Sequence, residues 1–186
     1  MVTFTYTKTT GFSLTGTVTG WNNAEGLRVR LYPDDADDAA IKADVKKAAG
    51  EIAGALDGTT ADTITADGDG KRYHQNFGFE GVTPGFYKLA VYKPGHAVSL
   101  VTVDLTVSSQ TKNIEMWLLG DIDGNGAVKS WDSVLLARYL AKWSGYETLP
   151  CPLEVADIDG NGVVKSWDSV LLARYLAKWS GYETLD

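Results

Sequence analysis

The sequence predicts a chain of two modules: an N-terminal β-sandwich carrying one inserted helix, then a small all-α module built on two calcium loops. Three observations lead to this reading. Residues 121–149 return as 157–185 with a single difference, Ala127 against Val163. Each copy opens with D-x-D-x-N-G-x5-D, a run of oxygen ligands at the spacing of a calcium loop. Before residue 119, short runs of Thr, Val, Phe and Tyr are cut by Gly, Pro, Asn and Asp, the texture of a sandwich. The predicted modules are therefore 1–118 and 119–186.

Strands are expected at Phe12–Val18, Leu27–Leu31, Phe86–Tyr92, Ala97–Val107 and Lys112–Leu118. Turns are expected at Trp21-Asn22-Asn23, Thr83-Pro84-Gly85 and Lys93-Pro94-Gly95-His96. The segment Asp37–Leu56 breaks the β pattern. It is Ala-rich, starts with acids, and spaces Ile41, Val45, Ile52 and Leu56 helically, so it reads as one helix packed on the sandwich edge. Asp67-Gly68-Asp69-Gly70 has half of a calcium pattern and no closing acid. It reads as a plain hairpin turn.

The stretch from Gly81 to His96 (GVTPGFYKLAVYKPGH) resembles the hairpin of carboxypeptidase-regulatory-like and Cna-B-like modules. That resemblance implies a prealbumin/Ig-like sandwich of the kind found in bacterial surface and secreted proteins, and leaves function open.

In the first loop Asp121, Asp123 and Asn125 occupy positions 1, 3 and 5, Gly126 position 6, and Asp132 position 12. Calcium takes six to eight oxygens, and a left-handed Gly lets the early side chains converge. Ala127 would add its backbone carbonyl. Asp157, Asp159, Asn161, Val163 and Asp168 repeat the set. Two Ca²⁺ ions are expected. Position 9 holds Lys129 or Lys165, which cannot ligate and leaves that place to water.

Helices are expected over Trp131–Lys142 and Trp167–Lys178, with none before either loop. At 100° per residue, Leu136, Tyr139, Leu140 and Trp143 share one face with their twins Leu172, Tyr175, Leu176 and Trp179, the expected core. Another face gathers Trp131, Val134, Leu135, Arg138 and Lys142, repeated as Trp167, Val170, Leu171, Arg174 and Lys178. An apolar strip edged by cations has the composition of a protein-binding patch.

A calcium loop with one exiting helix, duplicated as GDIDGNGAVKSWDSVLLARYLAKW and ADIDGNGVVKSWDSVLLARYLAKW, resembles the F-hand repeats of a dockerin. The resemblance implies a cellulosome-type assembly module that binds a cohesin on a scaffold protein. It places recognition at Ser130-Trp131 and Ser166-Trp167, and it makes the preceding sandwich X-module-like, as a stabilising or spacing domain. A pseudo-twofold between the repeats predicts two binding orientations. The resemblance also makes Trp117 and Tyr182 candidates for an aromatic contact that closes the module, the alternative being a Trp117 buried against the sandwich.

Net charge is −7, which argues against nucleic acid, since backbone binding needs clustered cations. Two Ca²⁺ would bring this to about −3. No apolar run approaches the roughly 20 residues of a membrane span. Met1 to Thr5 shows no leader pattern, so the chain reads as a piece of a longer extracellular protein. Cys151 stands alone between Pro150 and Pro152 and reads as a small connector residue. Catalysis has thin support, with only His74 and His96 available as bases, although the parent protein could degrade polysaccharide. The alternative is a carbohydrate-binding sandwich using Trp21, Tyr73, Phe77, Phe79, Tyr87 or Tyr92; otherwise contact with polysaccharide is indirect. A calcium sensor would need a Met-rich groove, and the chain has two Met.

Overall fold

The computed structural model describes residues 11–22 and 25–185. The expectations for Met1 to Thr5 and for Asn23 in its turn lie outside the described residues. The elements run β1 (Phe12–Gly20), β2 (Arg28–Pro33), α1 (Asp38–Asp44), β3 (Leu56–Asp57), β4 (Thr59–Thr60), β5 (Thr65–Ala66) and β6 (Tyr73–Val82). They continue with β7 (Phe86–Tyr92), β8 (Ser99–Asp104), β9 (Gln110–Thr111), β10 (Ile114–Glu115), α2 (Ser130–Leu140), α3 (Leu153–Ala156) and α4 (Ser166–Leu176).

Two sheets form the sandwich. One is ordered β10-β1-β6-β4, with β5 on β6 and β9 on β1; the other is β3-β2-β7-β8. Period-2 alternation fills the space between them. Leu14, Val18, Phe77 and Phe79 come from the first sheet, and Val29, Leu31, Leu89, Val91 and Val103 from the second. Phe77 and Phe79 meet edge to face at 6.3 Å.

The longest strand, β6, is expected only around His74, where the sequence reads as strand, and not in its full extent. Its His74-Gln75-Asn76 run and two glycines hide the alternation, and eight residue pairs with β1 hold it in place. The Asp67–Gly70 segment is a hairpin turn, as expected, with Gly70 N–H donating to the Asp67 carbonyl at 2.8 Å.

The expected helix over Asp37–Leu56 is corrected in length and place. It ends at Asp44, because side chains from β2 take the carbonyls a longer helix needs. Arg30 donates to the Asp44 carbonyl at 2.7 Å and to the Ala48 carbonyl at 3.0 Å, and Arg28 donates to that of Lys46. The helix does not sit on the sandwich edge. Ile41 and Val45 pack with Tyr32, Ala90, Tyr92 and Val98 on the outer face of the second sheet, so β2 and β7 are buried on both sides.

Lys93-Pro94-Gly95-His96 forms the expected turn, with Gly95 at φ +76° and His96 N–H donating to the Lys93 carbonyl at 3.0 Å. From here the chain joins the second module without a linker. Ala97 N–H donates to the Trp117 carbonyl and Leu119 N–H to the Gly95 carbonyl, each at 3.0 Å. Ala97 and Leu119 enter the core of the C-terminal module.

In that module α2 packs on α4, with Leu136 and Leu172 fully buried. A short helix, α3, precedes the second loop where none was expected. It supplies buried Val155 and Ala156, and the Val155 carbonyl accepts from Gly120 N–H at 2.9 Å. Trp143 and Trp179, expected in the core, are instead 56% and 57% exposed. The helices stop at Leu140 and Leu176, before either Trp could reach the shared face.

Candidate metal loops and exposed aromatic face

Each loop is shaped by its own carboxylates. Asp121 accepts from Asn125 N–H at 3.1 Å and Gly126 N–H at 2.8 Å. Asp123 accepts from Asn125 N–H at 3.1 Å. The closing Asp132, in the first turn of α2, accepts from Asp123 N–H at 3.0 Å and Lys129 N–H at 2.7 Å. Asp157, Asp159 and Asp168 repeat the scheme with Asn161, Gly162 and Lys165. The glycines at position 6 take φ +84° and +88°, a region where a Cβ would be strained.

In each loop these bonds bring one oxygen from each of the three acids within 4.8 Å of one another. Asp121, Asp132 and Asp168 are fully buried and Asp157 nearly so. Burial holds the Asp121 carboxyl above its ordinary range, and the charges of Asp132 and Asp123 push the same way against the Gly126 and Asn125 amides. Asp157 is raised by burial first, then by Asp168 and Asp159. Among the described residues no ion pair neutralises either triad. Buried, mutually repelling carboxylates on a glycine-kinked loop fit a hard divalent cation. Asn125 and Asn161 join the clusters through their backbone amides, while Ala127 and Val163 follow directly after the position-6 glycines.

The second candidate set lies beyond the loops. Trp131 and Trp167 are each 48% exposed, and Val134 and Val170 are 37% and 38% exposed. Ser130, Ser166, Lys142 and Lys178 are exposed. Leu135 is a correction: it is 9% exposed and packs in the module core, with Leu171 half-buried against the same core. One helical step places them on the inner flank of the strip.

Arg138 and Arg174 do not stand free at its edge. The Arg138 guanidinium lies 5.2 Å from the Trp131 ring, 5.3 Å from Trp143 and 4.8 Å from Tyr146, and it donates to the Tyr146 hydroxyl. Arg174 repeats this with Trp167, Trp179 and Tyr182. Cation–π stacking on an exposed ring contributes about 0.5–1 kcal/mol, enough to bias the Trp rotamers. Sequence reasoning missed Trp143, Tyr146 and their twins as members of this cluster. Helical periodicity carries no signal for the chain reversal at Lys142 and Lys178, both at φ +53°, that brings these rings back.

The expected Trp117–Tyr182 contact is not how the module closes. Tyr182 is held by Arg174, and Trp117 lies over Gly124 in the first loop. Leu185 is buried beside Gly120 instead.

The other readings fare differently. Phe77, Phe79 and Tyr92 are buried, which removes half of the expected sugar-stacking aromatics. His74 bonds Thr19 at 2.9 Å and also Asp67. Thr19 and His74 are opposite each other in the β1–β6 register, so strand pairing explains the contact. Cys151 is buried, and burial, with Asp121 and Asp132 nearby, pushes its thiol up to about 12.

Residues 119–177 match the family model of the dockerin type I domain. No curated protein matches the chain. Among solved structures, one from Acetivibrio cellulolyticus holds the third cohesin of ScaC with a ScaB dockerin mutated in its N-terminal helix (IN to SI), displaying a type I interaction. It is 38% identical over 33% of this chain and 84% of that chain, with a TM-score of 0.30. Another, from the same organism, is an N-terminal interface mutant of a type II cohesin–X-dockerin complex. It is 10% identical over 88% of this chain and 94% of that chain, with a TM-score of 0.31.

Proposed function

Residues 119–177 being a dockerin type I domain, we propose that this chain is a non-catalytic assembly module that binds a cohesin on a scaffold protein, in a calcium-dependent way and in either of two orientations. The relative of 38% identity is a dockerin bound to a cohesin, which supports the partner class. The observation that carries the double mode is the matched exposure of Trp131 and Trp167. Each lies beside an exposed Ser and Val and over a stacked Arg, so rotation about the axis between α2 and α4 presents one face for the other.

Calcium would be held by Asp121, Asp123, Asn125 and Asp132 with the Ala127 carbonyl, and by Asp157, Asp159, Asn161 and Asp168 with the Val163 carbonyl. When bound, an ion in each loop would supply positive charge that offsets the repulsion among these converged carboxylates. The protein's own part is mechanical. Asp132 and Asp168 each lie in the first turn of a recognition helix and close a loop, so loop order sets where Ser130-Trp131 and Ser166-Trp167 stand. Loss of the loop would therefore scatter the binding face.

The sandwich, residues 1–118, is an X-module-like stabilising or spacing domain in this reading. Its direct junction at Gly95–Ala97 and Trp117–Leu119 favours a fixed orientation. The module belongs to an extracellular assembly, where contact with polysaccharide is indirect. The reading is tested by binding the chain to a panel of cohesins in millimolar Ca²⁺ and in excess chelator. Retained binding after chelation, or none in calcium, would refute it.

A further inference from the structure

The two loops share their acidic ligands but not their surroundings. A Cβ placed on Gly124 would lie 2.6 Å from the Trp117 ring, and one on Gly126 only 2.3 Å from the Trp21 ring. The twins Gly160 and Gly162 have nothing within 4 Å. Backbone shape does not cause the difference, since φ is +69° and +84° in the first loop and +68° and +88° in the second. Two indoles supplied from the sandwich side therefore rest directly on the backbone of one loop only.

Those indoles are themselves held. The Arg72 guanidinium lies 4.5 Å from the Trp21 ring, and Trp21 N–H donates to His96 Nε2 at 3.0 Å. Trp117 follows β10, and its carbonyl accepts from Ala97 N–H. The consequence for the ligands is visible: Asp123 is half-buried, while its twin Asp159 is exposed.

We infer that Trp21 and Trp117 make the first loop the slower of the two to release calcium, so that two sites of the same acidic ligand set differ in exchange rate. This rests on the calcium reading above. A loop must open to let an ion go, and openings that break fewer contacts are more frequent. In the second loop Gly160 and Gly162 face open space, and α1 stands only across a cavity lined by Lys42, Lys46, Asp157 and Asp159. The first must lift two aromatic rings from its backbone, and packing of that kind shifts an opening equilibrium by about tenfold. Trp21 and Trp117 are positioning residues here, and neither contributes an oxygen to the site.

The test is release of calcium from the full chain into excess fluorescent chelator by stopped flow, reading both the number of ions and their rates. Two ions should leave in two phases of equal amplitude, about tenfold apart. Asp159→Ala with Asp168→Ala should remove the fast phase. Trp21→Ala with Trp117→Ala should merge the phases at the fast rate. Because that pair could unfold the junction, Gly126→Ala is compared with Gly162→Ala, which places the same Cβ at nearly the same φ. Only Gly126→Ala should accelerate the slow phase. Two ions leaving at one rate, or a slow phase belonging to the second loop, would overturn the inference while leaving the calcium reading intact. No ion released would overturn both.

Discussion

At the residue scale, the ends of α2 and α4 store a small strain that shapes the exposed face. Lys142 and Lys178 sit in the left-handed region. Trp143 N–H donates to the Arg138 carbonyl at 3.1 Å and Lys142 N–H to that of Tyr139 at 3.0 Å, a Schellman closure. A non-glycine residue there costs about 1 kcal/mol. Lys142→Gly and Lys178→Gly should each raise stability by about that amount in denaturant titration. Weaker cohesin binding by the same variants would place the lysine side chains in the interface. His96 makes a second prediction. Its Nε2 accepts from Trp21 N–H, and its Nδ1 bonds the Pro94 carbonyl at 3.1 Å. Burial lowers it to about 4, against about 6.5 unfolded. The unfolded chain therefore binds the proton first, and the contribution to stability is full above pH 6.5 and lost as pH falls toward 4. Comparing the chain with His96→Gln in chelator, the variant should be weaker at pH 7. The gap should close by about 3 kcal/mol on acidification to pH 4. A gap independent of pH would contradict the neutral, buried imidazole.

At the scale of elements, the convergence of the acids in the two candidate loops is legible in the sequence because it is local. Asp121, Asp123 and Asp132 converge through bonds spanning at most nine residues, so spacing alone specifies the site. What decides α1 is not local. The periodicity of Ile41 and Val45 was correct, but continuation past Asp44 depends on carbonyls that Arg30 and Arg28 claim from a strand ten or more positions earlier. Gly50 fits this arrangement, since a Cβ there would lie 3.2 Å from both Arg30 Nε and Asp44 Oδ2. Burial acts to raise the Asp44 carboxyl, but the Glu51 amide, the Tyr32 hydroxyl and Arg30 outweigh it and hold it low. Arg30→Ala would leave Asp44 buried without that cation and the Ala48 carbonyl without its Arg30 donor, while the Asp44 carbonyl would keep only Lys47 N–H. It should cost about 3 kcal/mol, read as a lower denaturant midpoint. A loss under about 0.5 kcal/mol, the range of ordinary surface substitutions, would show that the network does not hold the turn. The same limit explains β6 and Trp143: neither cross-strand pairing nor chain reversal after a helix is written in a single segment's pattern.

At the scale of the whole molecule, symmetry and its breaking coexist. The duplicated helices carry matching exposed faces, while the sandwich leans on only one loop. It also reaches α3, just before the second repeat, through the Lys42–Glu154 pair at 3.6 Å, a partly exposed contact expected to contribute little. Trp131 and Trp167 stay equally exposed despite this asymmetric docking, so the domain contact does not by itself favour one orientation. If either face can engage, deleting one removes half of the binding configurations and weakens affinity only about twofold. The most direct measurement is a titration of one cohesin in saturating calcium with four proteins: the unaltered chain, Trp131→Ala, Trp167→Ala and the double variant. Two equivalent faces predict about twofold losses for each single variant and no measurable binding for the pair. A single variant that abolishes binding while the other leaves it unchanged would show that only one face is used.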